Sequence, residues 1–181
     1  MDDQPENQEI YRGRIVTLRL KHVRQPDGTT RLREIVEHAA GAAVVAVDAD
    51  GSVILVRQYR PAVDAAVLEL PAGLVDAGET PQACARRELE EETGFTAGHL
   101  EPLAQFYSSP GFCTEVLHVY VATDLRPCAV DHDGEEELEV VRLPLEAALE
   151  QVLHTELSDA KTVVGLLAYA DRSRLTFLPA S

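Results

Sequence analysis

The chain has no tryptophan, and aromatic residues make up only 5% of its 181 positions. A core must therefore be assembled from Val, Leu, Ile and Ala. Its three cysteines, Cys84, Cys113 and Cys128, are odd in number and stand in no C-x-x-C or Cys/His spacing. Neither structural zinc nor a disulfide framework is expected on that pattern. Basic residues are scarce, 16 Lys and Arg against 31 Asp and Glu, which leaves a formal net charge of -15. A chain so acidic is not built to coat nucleic acid or an anionic membrane surface. Any anionic ligand needs a local exception, either a bound divalent cation or a focused arginine cluster. No uninterrupted apolar run reaches the ~18 residues that a bilayer demands, and the opening Met-Asp-Asp-Gln-Pro-Glu-Asn has no basic or apolar leader character. The expectation is a soluble cytoplasmic protein. G-x-x-x-x-G-K-[ST], G-x-G-x-x-G, G-x-S-x-G and H-E-x-x-H are all missing, which removes P-loop, Rossmann, serine hydrolase and zincin chemistry.

What is present is ordinary globular composition, 45% hydrophobic and 26% charged, at a length that suits one domain with a small appendage. Ile15 to Val23 and Arg31 to Val36 flank Asp27-Gly28 and read as a hairpin. Ala42 to Val47 and Val53 to Tyr59 flank Asp50-Gly51 and read as a second. Val67 to Leu70, Leu103 to Ser108, Val116 to Ala122 and Leu138 to Leu143 are further strands. Thr80 as a cap, Pro81 at the first helical position and Gly94 as a stop bound a helix from Pro81 to Thr93. Leu145 to Leu153 and Ala160 to Ala170 are two more. Hairpins outnumber crossovers, so the expected class is α/β (α+β) with a mixed sheet and helices on its faces. Residues 1–38 form a separate antiparallel β arm in this reading, and residues 39–181 the main domain.

The helix from Pro81 carries Glu88, Glu90, Glu91 and Glu92 near its C-terminal end. The macrodipole and the i,i+4 pair Glu88/Glu92 both disfavour that arrangement. Glu88, Glu91 and Glu92 share one face, Glu90 points elsewhere, and Ala85 with Leu89 supplies the buried side. A hard cation would explain the cluster, with Glu92 facing solvent and metal rather than the core; the alternative on these residues alone is a solvated acidic face. Mg²⁺ is usually held by one or two carboxylates plus waters and substrate phosphates, which suits Glu88 and Glu92 one turn apart.

Gly73, five residues, Glu79, seven residues, and then Arg87-Glu88-Leu89-x-Glu91-Glu92-x-Gly94-Phe95 reproduces every fixed position of the Nudix box. On these residues the chain resembles the Nudix hydrolases. The resemblance implies a Nudix fold, an α/β/α sandwich around a mixed β-sheet, and hydrolysis of a nucleoside diphosphate linked to another moiety with Mg²⁺ or Mn²⁺. It implies metal ligands at Glu88 and Glu92, with Glu91 contributing, and at the backbone carbonyl of Ala72. Arg87 then orients the glutamates, and Glu79 is either a ligand or a brace for the loop.

Outside the box, Val56-Arg57-Gln58-Tyr59-Arg60, Leu68-Glu69-Leu70-Pro71-Ala72-Gly73, Ser109-Pro110-Gly111-Phe112 and Asp159-Ala160-Lys161-Thr162 are similar to the ADP-ribose pyrophosphatase branch. That likeness implies cleavage of ADP-ribose to AMP and ribose 5-phosphate in a homodimer. Substrate contacts fall at Arg60, Glu115, Pro110 and Gly111, and at Arg33, which the arm lends across the dimer. The acidic run Asp131 to Glu137 falls where the branch carries its general base. Alignment on Leu138-Glu139-Val140 places that base at Glu136, with Glu135 and Glu137 adjacent and Glu91 as the competitor. Cys113-Thr114-Glu115 departs from the commoner Ser-Asp-Glu-like run. Two alternatives stay open: a pyrophosphatase for another nucleoside diphosphate sugar, dinucleotide or oxidised nucleotide, and a non-catalytic nucleotide sensor.

Overall fold

The computed structural model describes residues 8–129, 138–155 and 157–176, the side chains of 175 and 176 excepted. Asp131 to Glu137, and Glu136 with them, lie outside the described residues. The first three strands, β1 (Gln8–Arg12), β2 (Val16–Arg24) and β3 (Thr30–His38), form an antiparallel sheet of their own. Gly28 makes the β2–β3 turn at φ 83°, a left-handed value that costs glycine little. Asp27 Oδ1 accepts the Thr29 N–H at 2.9 Å and closes the same turn. The arm is not wholly detached. Val36 N donates to the Phe112 carbonyl at 2.8 Å, and Thr114 N donates back to the Val36 carbonyl at 3.0 Å.

The main sheet has seven strands and runs β10–β5–β4–β9–β8. Its members are β4 (Gly41–Val47), β5 (Ser52–Arg60), β6 (Ala65–Glu69), β7 (Ala72–Leu74), β8 (Phe95–Tyr107), β9 (Val116–Pro127) and β10 (Glu139–Pro144). β4 and β9 are parallel and the other pairings antiparallel, so the sheet is mixed. Strict alternation sorts the apolar residues onto two faces. Ala43, Val45, Val47, Val53, Leu55, Val119 and Val121 pack on one side with Ala148, Val152 and Leu166 of helices α2 (Leu145–His154) and α3 (Ala160–Thr176). Ala42, Val44, Ala46, Ile54, Tyr120 and Ala122 pack on the other with Cys84, Ala85 and Leu89 of α1 (Pro81–Thr93). This is the expected α/β/α sandwich.

One irregularity positions the site. β4 pairs with β5 only at Ala46 and Val47, and the two strands then part. β6 follows β5 from Val56 to Arg60, and β7 follows β4 from Gly41 to Ala43. Leu70-Pro71 stands in the crotch of the fork, where the Pro71 carbonyl accepts Val44 N at 3.0 Å. The sequence reading missed β7 and β1 and the first half of β8. β7 is three residues of Ala-Gly-Leu with no period to read, and every residue of β1 is exposed. β8 is interrupted by a register shift between Pro102 and Ala104. Among the described residues, no helix is long and apolar enough to cross a membrane.

Candidate active site

Local signals place α1. The Thr80 side chain accepts Ala83 N at 3.2 Å, Pro81 fills the first turn, and Gly94 ends α1 at φ 73°. Cys84, Ala85 and Leu89 are fully buried, so the face bearing Glu88, Glu91 and Glu92 is turned toward β7 and the fork. Glu90 points away, accepting from the Thr96 hydroxyl at 2.5 Å.

Arg87 organises this face. Its Nε donates to Glu79 Oε1 at 3.1 Å, and one terminal nitrogen donates to Glu88 Oε1 at 2.6 Å and Glu91 Oε2 at 3.0 Å. The other reaches the Leu74 carbonyl and Glu79 Oε2, both at 3.2 Å. Bonding to Glu79 first, and the charge of Glu88, raise its already high pKa, so it is a permanent cation. Arg87 in turn lowers the pKa of Glu79, whose Oε2 also accepts the Asp76 N–H at 3.1 Å.

Glu88 is buried and lies against the backbone of Gly73. An ideal Cβ on Gly73 would stand 1.9 Å from Glu88 Oε1. Only glycine leaves room for that carboxylate. Gly73→Ala is therefore expected to displace Glu88 while leaving the fold intact, because the obstructed group is the end of a side chain. Turnover should fall at least about tenfold, as when an outer partner of a metal ligand is lost. An unchanged kcat/KM would show that the position of Glu88 is unimportant.

Glu92 corrects one expectation. It does not face open solvent: it is partly buried against β7, and its Oε2 accepts the Ala72 N–H at 2.9 Å. Burial pushes its carboxyl up to about 8, against the Ala72 N–H; neighbouring Glu88 pushes the same way, and Lys161 and Arg60 pull down. Glu88 is also raised, by burial first. The folded metal-free chain thus binds a proton at Glu92 that the unfolded chain releases near 4.5. Stability from this group is complete below about 4.5 and is lost as pH climbs toward 8. Glu69 and Glu79 have lowered values and act below that window, while burial pushes Cys84 up to about 12, above it. In chelator, Tm is expected to fall by several degrees between pH 5.5 and 8.5, at about 2–4 °C per kcal/mol for a chain of this size. Glu92→Gln should flatten that slope, as scanning calorimetry across the range would record.

The other sequence-designated residues are distributed around this face. Glu91 is half exposed and, among the described residues, is held by Arg87. Glu115 is near His38, Nδ1 to Oε1 3.5 Å, and its carboxylate borders Gly41, the strand partner of Leu74. Pro110 and Gly111 are exposed in the loop that the arm touches. Arg33 remains on the arm, donating to the Leu32 carbonyl at 3.2 Å, and among the described residues no hydrogen bond or ion pair links it to the α1 carboxylates. Arg60 is bound side-on to Glu69, Nε to Oε1 2.7 Å and a terminal nitrogen to Oε2 2.8 Å. Lys161 also donates to Glu69 and lies 3.1 Å from Asp159. Sequence reasoning assigned no role to Glu69 or Lys161, since nothing local marks a strand-end carboxylate and a helix-start lysine 92 positions apart as partners.

Among the described residues, no three His, Cys, Asp or Glu side chains are gathered as a ready-made cation cage. The donor set still fits a hard cation. Mg²⁺ keeps several waters and asks for one or two carboxylates. Glu88 is buried and Glu92 partly so, and burial disfavours the charged form of each until a cation arrives.

The NUDIX domain profile matches residues 37–163. This chain belongs to the Nudix family. It is a Nudix hydrolase, acting on pyrophosphate bonds. An ADP-ribose pyrophosphatase of Bacillus subtilis is 40% identical over 161 residues, covering 88% of this chain and 87% of the relative. A methanol dehydrogenase activator of Bacillus methanolicus is 37% identical over 163 residues, covering 89% and 88%. A GDP-mannose pyrophosphatase of Salmonella typhimurium is 37% identical over 153 residues, covering 79% of each. The crystal structure of an ADP compounds hydrolase superposes with TM-score 0.85 at 26% identity, over 96% of this Nudix chain and 94% of that one.

Proposed function

We propose that this Nudix hydrolase is a divalent-metal-dependent ADP-ribose diphosphatase that releases AMP and ribose 5-phosphate. The observation that carries the reading is the pair of carboxylates on α1, buried Glu88 over Gly73 and partly buried Glu92 on the Ala72 N–H, at the fork of the sheet. Glu88, Glu92 and the Ala72 carbonyl, with Glu91 at the rim, would hold Mg²⁺ or Mn²⁺. When bound, the metal supplies the positive charge that offsets the diphosphate and the acidity that makes water a nucleophile near neutral pH. The protein's own work is to fix those donors: Arg87 spans Glu79, Glu88 and Glu91 and keeps them from splaying under mutual repulsion. Arg60, Glu115 and the turn at Pro110-Gly111 are assigned to the substrate on the likeness to the ADP-ribose pyrophosphatase branch.

The ADP-ribose assignment draws on the sequence likeness to that branch and on the Bacillus subtilis relative. The GDP-mannose relative favours a second reading, hydrolysis of another nucleoside diphosphate sugar at the same carboxylates. A panel of ADP-ribose, GDP-mannose, UDP-glucose, NADH, diadenosine polyphosphates and 8-oxo-dGTP, each with Mg²⁺ and Mn²⁺, separates the two by product identity. AMP and ribose 5-phosphate must be the fastest products for the first reading to stand.

We assign residues 1–38 to a dimerisation arm that carries Arg33 into the partner's site, on the likeness to the ADP-ribose pyrophosphatase branch. Mixing inactive Arg33→Ala chains with inactive Glu92→Gln chains should then restore activity, since one site of the heterodimer holds both native residues. A monomer by light scattering, or no recovery after confirmed subunit exchange, removes the shared site.

A further inference from the structure

Glu69 is a deeply buried carboxylate beside the site, with a side chain only 3% exposed, and it closes β6 three positions before Ala72. A buried anion must be compensated, and two cations do so from opposite elements. Arg60 on β5 meets it side-on through two hydrogen bonds of 2.7 and 2.8 Å. Lys161 on α3 meets it from behind and is itself 11% exposed. Burial alone would raise the Glu69 pKa, but Arg60 and Lys161 outweigh it and lower the value, so the carboxylate stays charged.

The burial is asymmetric. Glu69 is sealed and Lys161 largely covered, whereas Arg60 keeps a side chain 40% exposed. The arrangement is an anchored guanidinium with one edge on a fixed carboxylate and its body at the surface. The anchor is rigid from both ends. Leu70 N donates to Thr162 Oγ1 at 2.9 Å, and Asp159 takes the Thr162 N–H at 2.9 Å and hydroxyl at 2.6 Å, so the end of β6 is tied to the start of α3. Two residues beyond Leu70, the Ala72 N–H holds Glu92. The anchor therefore fixes Arg60 in register with the α1 carboxylates, close enough that the Arg60 and Lys161 charges act on Glu92.

We propose that Glu69 is a positioning residue for substrate binding: held in place by Lys161, it orients the Arg60 guanidinium toward the anionic substrate gathered at Glu88 and Glu92. The assignment rests on the diphosphatase reading of that site. A guanidinium fixed by two bonds loses less rotational freedom when an anion arrives than one swinging in solvent, which is why a neighbouring carboxylate strengthens rather than cancels its use.

The test is a double-mutant cycle on the best substrate of the panel, with Glu69→Gln, Arg60→Ala and the double variant. Glu69→Gln should raise KM on the order of tenfold, the scale of one charge-assisted hydrogen bond, with kcat within about twofold. In the Arg60→Ala background the same change should add almost nothing, because the residue acts through Arg60. The Arg60 Nε–H signal in nitrogen-15 spectra should exchange slowly in the unsubstituted chain and fast in Glu69→Gln, a readout independent of turnover. Should Glu69→Gln fail to fold, Glu69→Asp keeps the charge, shortens the reach and must raise KM in the same way. Additive effects, or an unchanged KM and Nε–H signal in a folded variant, would overturn the assignment while leaving an active parent chain. A parent chain inactive on the whole panel would instead overturn the diphosphatase reading, and the proposal with it.

Discussion

Glu92→Gln is expected to lower kcat/KM by about 10³-fold or more, since the charge stabilisation that a metal ligand secures is worth several kcal/mol. The fold should be untouched. Glutamine keeps the carbonyl oxygen that accepts the Ala72 N–H, and at pH 7 without metal the native carboxyl is already largely protonated, its value standing at about 8. The substitution therefore copies the neutral state of the apo protein and removes only the ability to become an anion. Calorimetric titration with Mg²⁺ or Mn²⁺ should show weakened binding, and at neutral pH the proton released on binding by the parent should vanish. Near-native turnover would sink the ligand assignment. A large loss of Tm in chelator at pH 7 would show instead that the carboxylate is structural.

Glu136→Gln is expected to lower kcat by about 10²- to 10⁴-fold, the usual contribution of a general base, while KM and metal affinity stay close to those of the parent. That split separates it from Glu92→Gln, which impairs metal binding as well. The competing base is Glu91, exposed on α1 and bound to Arg87 at 3.0 Å. To take a proton from the attacking water, Glu91 would have to share or surrender that guanidinium, and Arg87 also holds Glu79 and Glu88. Parallel kcat measurements on Glu91→Gln, Glu135→Gln, Glu136→Gln and Glu137→Gln decide the matter. If the three loop substitutions are harmless and Glu91→Gln is not, the base is Glu91.

Legibility in the sequence followed the range of the forces involved. The limits of α1 were readable because Thr80, Pro81 and Gly94 act within one turn of the ends they define. The β2–β3 hairpin was readable from Asp27-Gly28 for the same reason. The carboxylate face was readable because i+3 and i+4 spacing is a property of any helix. β7 was invisible, since Ala72–Leu74 becomes a strand only when β4 parts from β5 and offers an open edge. The solvent-facing reading of Glu92 failed for a related reason: helical periodicity says which side chains share a face but not what lies opposite that face.

By itself, then, the sequence determined the identity and spacing of the box, the helix that carries it and the two-faced strands that bury a core. Each of these is a local matter of caps, turns and period. Tertiary structure alone decided that Gly73 makes room for Glu88, that the Ala72 N–H reaches Glu92, and that Glu69 draws Arg60 and Lys161 together from β5 and α3. Those contacts join residues 15, 20, 9 and 92 positions apart across a forked sheet, and the last three are hydrogen bonds. Burial sets their energetics, because a carboxylate's charge depends on how much water the fold leaves around it.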